Sequence, residues 1–171
     1  MTDTIKGESI TIRPATRADV AIVLEFIRDL ARYERLDHEV SASEAELAEA
    51  LFGERRYAEV VLACSDGVPV GFALFFHNFS TFKGRPGIYL EDLFVRPEAR
   101  GRGIGKRLLA HLARTALERR CARLEWAVLD WNEPSIGFYR SLGAVPMDEW
   151  TTFRLTGDGL ALLAGGPAAE R

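Results

Sequence analysis

Residues 9–13 (SITIR) alternate apolar and polar side chains, the period of a half-buried strand, and Pro14 is expected to end it. Thr16 followed by Asp19 reads as a helix N-terminus. Val20, Val23, Leu24, Ile27, Leu30 and Ala31 then recur at helical spacing to about Arg32. Residues 43–51 predict a second, short helix, with Ser43 as cap and Glu46 three residues on. Residues 57–64 are β-rich, Ser65-Asp66-Gly67 is a turn, and residues 70–76 complete a hairpin. Residues 77–87 read as a polar loop carrying Phe79 and Phe82. Strands follow at 88–95, 123–129 and 150–155, with helices at 103–119 and 134–141. Pro134 suits a first helical turn and Gly143 a C-terminal cap. The residues after Gly165-Gly166-Pro167 are expected to fray. The order is mixed α/β, and 171 residues suffice for a single domain with a substantial core, ordered over about 8–163.

One junction carries more than topology. Between the strand at 88–95 and the helix at 103–119 lies Arg96-Pro97-Glu98-Ala99-Arg100-Gly101-Arg102-Gly103-Ile104-Gly105-Lys106. Three alternating glycines remove the Cβ atoms that would hold a ligand off the backbone. The free N–H groups and positive dipole end of the helix then attract an anion, so the turn is a candidate cradle for a phosphate or pyrophosphate. A Walker A loop is excluded, because Lys106 is followed by Arg107 and not by Ser or Thr. A Rossmann fingerprint is excluded because the spacing is G-x-G-x-G.

Composition narrows the picture little. Hydrophobic residues make up 47% and charged residues 27%, an ordinary globular mix. A net charge of −3 supplies no global basic field for nucleic acid. Cys64 and Cys121 are far apart, and His38, His77 and His111 match no metal-ligand spacing, so neither a disulfide framework nor a metal site is expected. No apolar run approaches the ~18 residues of a membrane span, and the polar N-terminus lacks a signal-peptide core. These features predict a soluble, cytoplasmic protein.

Two further stretches bear chemistry. Tyr89-Leu90-Glu91-Asp92-Leu93-Phe94-Val95 sets two acids inside an apolar strand. In a regular strand the two face opposite sides, and buried carboxylates are costly unless paired or hydrated. One reading is a salt bridge at the sheet edge. The other, favoured by the nearby glycine turn, is a cleft that receives a cationic amine. In Asn132-Glu133-Pro134-Ser135-Ile136-Gly137-Phe138-Tyr139-Arg140-Ser141-Leu142-Gly143, Asn132 suits a helix cap and Tyr139 a packed aromatic.

Taken together, R-x-x-G-x-G at 100–105 and N-x-x-[SA]-x-x-[FL]-Y-x-x-x-G at 132–143 resemble the GNAT N-acetyltransferases. The resemblance runs from Ile12-Arg13-Pro14-Ala15-Thr16 to about Leu163. Leu30-Ala31-Arg32-Tyr33-Glu34, Tyr89-Leu90-Glu91-Asp92 and Trp131-Asn132-Glu133-Pro134-Ser135-Ile136 resemble its spermidine/spermine and thialysine acetyltransferase branch. That resemblance implies the GNAT fold, a mixed and mostly antiparallel central sheet flanked by helices. It implies acetyl-CoA as co-substrate, a small cationic primary amine as acceptor and a homodimer, without metal, nucleic acid or membrane. It implies Tyr139 as proton donor to the departing thiolate and Glu91 as the group acting on the amine. Leu93, Phe94, Val95, Arg100, Gly101, Arg102, Gly103, Ile104, Gly105, Lys106, Asn132, Pro134 and Ser135 would hold the cofactor. Tyr33, Glu34, Phe82, Glu91, Asp92, Glu125 and Ala127 would hold the acceptor. The chain departs from the animal polyamine enzymes at Ser80-Thr81-Phe82-Lys83-Gly84-Arg85, where two cations sit and Phe82 replaces a frequent tryptophan, and again at Glu125-Trp126-Ala127. A peptide or protein acetyltransferase and a non-catalytic acyl-CoA-binding module remain the alternatives.

Overall fold

A computed structural model describes residues 3–5 and 8–166. The chain divides into two compact units, Met1–Leu129 and Asp130–Arg171.

The first unit is a sheet in the order β1 (Asp3–Ile5), β2 (Glu8–Pro14), β3 (Glu59–Ser65), β4 (Val68–Ser80), β5 (Arg85–Val95) and β6 (Leu124–Trp126). Neighbours are antiparallel except β5 and β6, which run parallel because helix α3 (Ile104–Glu118) crosses between them. Helices α1 (Val20–Glu34) and α2 (Glu44–Phe52) join β2 to β3.

Alternation in the strands decides which side chains meet which helix. Val60, Leu62 and Cys64 of β3 share a cluster with Val23 and Phe26 of α1 and Leu51 of α2. Phe26 stacks on Phe72 of β4 at 5.6 Å and leans on Phe94 of β5 at 6.1 Å. The intervening residues Val61 and Ala63 are also fully buried. Helix α3 buries Ile104, Leu108, Leu109 and Leu112, and its Arg107 donates to the Ile10 carbonyl of β2 at 3.3 Å.

Helix starts follow the sequence closely. Ser43 and Glu46 form the expected reciprocal cap of α2, with Ser43 N–H donating to Glu46 at 2.8 Å. Ahead of α1, Asp19 accepts from the Thr16 amide at 2.7 Å and from both terminal nitrogens of Arg13 at 2.8 Å. The first turn there is 3₁₀, over Arg17–Asp19.

Three expectations are corrected. The loop expected at 77–87 is mostly strand, because β4 runs to Ser80, β5 starts at Arg85 and only residues 81–84 turn. A two-stranded extension with a solvated face needs no apolar run, so its polarity mimics a loop. The strand expected at 123–129 is only Leu124–Trp126, since pairing with β5 stops at Leu90.

The third correction lies in the second unit. Residues 150–155 form no strand, and Trp150 and Phe153 are exposed. Strand propensity expresses a fit to a neighbouring strand, and no neighbour is paired there among the described residues. This unit instead holds α4 (Glu133–Ser141) and an unforeseen short helix, α5 (Asp158–Leu163). The tail expected beyond Pro167 lies outside the described residues.

Candidate active site

Strand β5 leads through a 3₁₀ turn at Pro97–Ala99 into the glycine loop. Gly101 and Gly103 both have φ of +74°, a left-handed conformation that a side chain would strain. A Cβ at either position would meet no protein atom within 4 Å. The space before the loop is therefore open to a ligand. Gly103 caps α3, and the first intrahelical bond is Arg107 N–H to Gly103 O at 3.0 Å. The amides of Ile104, Gly105 and Lys106 precede that bond and have no partner within the helix. Arg102 reaches Ser65 at 3.3 Å, while Lys106 is exposed. Convergent amides, a helix dipole and nearby cations fit a pyrophosphate.

Arg100 has an additional task. Its Nε donates to the Val95 carbonyl at 2.8 Å, and its guanidinium lies over the rings of Tyr33 at 5.1 Å and Phe94 at 5.5 Å. The side chain thus ties the end of α1 to the end of β5. Tyr33, Phe94 and Arg100 line a cleft of about 520 Å³ with Arg96 and Glu98. Of the other predicted cofactor residues in this unit, Leu93 and Val95 flank buried Phe94 on β5, and Ile104 is buried at the start of α3.

The adjacent acids sit on a β-bulge. Pairing between β4 and β5 passes from Leu74↔Asp92 to Phe75↔Leu90 and leaves Glu91 without a register partner. Two residues then oppose one, so strict alternation of faces does not apply here. Glu91 is exposed, whereas the Asp92 carboxyl is pushed up to about 6, first by burial and then by the charges of Glu91 and Glu34. Burial also raises Glu34, the last residue of α1. Among the described residues none of these three carboxyls has an ion-pair partner. Three mutually repelling acids at one spot favour a cation there.

The remaining predicted acceptor residues lie elsewhere. Glu125 of β6 is taken by two partners: Asn78 Nδ2 donates to its Oε2 at 2.8 Å, and Arg123 Nε lies 2.8 Å from the same oxygen. Ala127 follows β6 and is exposed. Phe82, 95% exposed, lies on the β4–β5 turn. From Arg85 to Glu91 is six strand residues, or about 20 Å. Sequence reasoning missed the strap from Asn78 to Glu125. A glycine inside a strand pattern was its signal, since Gly87 has no Cβ to meet Asn78 Oδ1, which would lie 2.3 Å away.

In the second unit, buried Asn132 caps α4 and accepts from the Ser135 amide at 3.4 Å, with Pro134 in the first turn. Tyr139, partly buried, has its ring 5.4 Å from that of Phe138. Gly143, at φ +85°, follows the helix end, where the Ala144 amide donates to the Tyr139 carbonyl at 3.2 Å.

A strand–cradle–helix crossover beside a bulged, acid-bearing strand defines a group-transfer enzyme with a phosphate-anchored donor. The family profile described as "Acetyltransferase (GNAT) family" matches residues 23–144. The chain belongs to the GNAT acetyltransferase family and is an acyltransferase. It is 40% identical to the thialysine N-epsilon-acetyltransferase of Bos taurus over 167 residues, covering 91% of this chain and 98% of that one. It is 32% identical to an L-ornithine N5-acetyltransferase of Arabidopsis thaliana, covering 87% and 85%. Among solved structures, an integron cassette protein of V. cholerae superposes with a TM-score of 0.76 at 32% identity, over 91% of this chain and 97% of that one.

Proposed function

We propose that this protein transfers the acetyl group of acetyl-CoA to a primary amine of a small cationic acceptor of the thialysine, ornithine or polyamine kind. The observation that carries this reading is the unpaired carboxyl trio of Glu34, Glu91 and Asp92. The names of the relatives point to the same acceptor chemistry.

Acetyl-CoA would supply an already activated thioester, so no covalent enzyme intermediate is required. The amides of residues 102–106 orient its pyrophosphate, and much of the rate comes from holding the reactants together. Asp92 and Glu34 hold the acceptor's ammonium. An alkylammonium has a pKa of about 10.4 and no lone pair to attack with. Glu91, acting through water, takes the proton and frees that lone pair. The C–N bond forms, the C–S bond breaks, and Tyr139 gives its hydroxyl proton to the departing sulfur. A tyrosine with a pKa of about 10 holds that proton at neutral pH. The role of Tyr139 rests on its place in the N-x-x-S-x-x-F-Y pattern.

We also propose a single-domain, cytoplasmic homodimer. The family profile runs unbroken through residues 129 and 130, where the two compact units meet in sequence. No helix among the described residues is long and apolar enough to cross a membrane.

The test is steady-state turnover of acetyl-CoA against thialysine, ornithine, spermidine and an N-terminal peptide, for the wild type, Tyr139→Phe and Glu91→Gln. Turnover of at least one small amine is expected. Tyr139→Phe should lower kcat by about 10²-fold at unchanged CoA affinity. Glu91→Gln should lose most at low pH and recover as free amine accumulates. Peptide-only turnover, or CoA binding without turnover of any acceptor, would refute the reading.

A further inference from the structure

A second groove opens at the far end of α3, with a volume of about 480 Å³. Its walls are Arg85, Arg119, Arg120 and Cys121, and Pro86 and Leu117 give it an apolar floor. The length of α3 separates it from the glycine cradle, about 22 Å for 15 residues. About 20 Å of β5 separates it from Glu91. A lysine-sized acceptor spans neither gap, so the groove is independent of the acetyl-transfer reading.

Its three guanidiniums are not equivalent. Arg119 is forked onto Glu59, at 2.5 and 2.8 Å. Arg85 and Arg120 have no ion-pair or hydrogen-bond partner among the described residues. The neighbouring acid Glu118 is exposed and ends α3.

The backbone adds a second observation. Arg120 has φ of +56°. It occupies the left-handed position of the bracket that closes α3, with the Cys121 amide on the Ala116 carbonyl at 2.8 Å. Glycine is the unstrained residue at that place. A helix-end cation is one use for an arginine there, and Arg35 at φ +61° shows the same use at the end of α1. What sets Arg120 apart is that it lines a groove beside a second unpaired guanidinium.

We infer that this groove is a binding site for a small organic anion, its carboxylate or phosphate groups held by Arg85 and Arg120 and its apolar body laid on Pro86 and Leu117. Guanidinium forks match both kinds of acid group in geometry. Strain kept at a non-glycine position points to a side chain that is needed where it stands.

Cys121 gives a local readout, because it lines the groove and is partly accessible while Cys64 is buried. The full-length protein, saturated with CoA so that the cradle does not compete, is treated with neutral iodoacetamide with and without isophthalate. Isophthalate should slow Cys121 alkylation and raise the Tm. Arg85→Ala should abolish that protection. Arg120→Gly should also abolish it, yet raise the Tm of the ligand-free protein by releasing the backbone. Arg35→Gly, a control for strain alone, should keep the protection. The inference falls if isophthalate gives no protection, or if Arg85→Ala and Arg120→Gly keep it. It falls equally if protection appears with protein concentration alone, which would mean that a second copy covers the groove. Protection by polyglutamate and not by isophthalate would overturn it in favour of an acidic polypeptide.

Discussion

Replacing Asp92 by asparagine should make the protein more stable and less active. The Asp92 carboxyl is raised from 3.8 to about 6 by burial and by its acidic neighbours. The folded protein therefore binds this proton more tightly than the unfolded chain does. The resulting stabilisation is full below about pH 3.8 and is lost as pH rises through 6. Above pH 6 the native state carries an unfavourable charge. The printed shift corresponds to a ceiling of about 3 kcal/mol at about 1.4 kcal/mol per pKa unit. Water reaching the site reduces this, so we expect a gain of about 1–3 kcal/mol for Asp92→Asn at pH 8. In a chain of this length that raises the Tm by about 3–10 °C. Below pH 4 the gap should close, because wild-type Asp92 is then neutral too. Thermal melts of both proteins from pH 4 to pH 8 provide the assay. A cationic acceptor should raise the wild-type Tm at pH 8 and leave that of Asp92→Asn nearly unmoved. Equal melting of the two proteins at pH 8, or an offset that is constant with pH, would refute the reasoning.

Other outcomes follow from the same geometry. Gly103→Ala should weaken CoA binding by calorimetry, because the new Cβ enters the open cradle, and should cost about 1 kcal/mol in chemical denaturation through its positive φ. Asp19→Ala should destabilise by about 2 kcal/mol, since it removes the Thr16 cap bond and the Arg13 fork together. Those partners hold the Asp19 carboxyl well below the usual carboxylate range, so the wild-type advantage is present above about pH 4 and fades in more acidic melts. Gly87→Ala should push Asn78 off Glu125 and lower stability by about 1–2 kcal/mol. A double variant, Gly87→Ala with Asn78→Ala, should regain part of that loss in urea titrations.

The helices were legible because their signals are local. Ser43 with Glu46, Gly103 ahead of the run from Ile104, and Asn132 with Pro134 each specify a helix start within four residues. The glycine cradle was legible for the same reason. The bulge at Glu91 was not, because it is a relation between β4 and β5, and neither strand shows it alone. Strict alternation accordingly misjudged how Glu91 and Asp92 sit. The 77–87 segment was misread because a strand with a wet face needs only a partner. Residues 150–155 were misread in the opposite sense, having the composition of a strand and no partner in this structure. The role of Arg100 was half legible: its position before Gly101 was plain, but the stacking on Tyr33 joins residues 67 positions apart.

The short pairing of β6 with β5 has a mechanical consequence. The ladder between them covers Ile88–Leu90 and ends where the bulge begins. Beyond it, Asp92 to Val95 are held by β4 on one side only among the described strands. The sheet thus behaves like a zipper fastened at one end, whose last teeth part without disturbing the core. Amides on that outer edge should exchange with solvent by local fluctuation, far faster than those facing β4. An extended ligand carrying its own amides would engage those teeth as a short extra strand. Its arrival would then be recorded as slowed hydrogen exchange along 92–95, a signal independent of any chemical step.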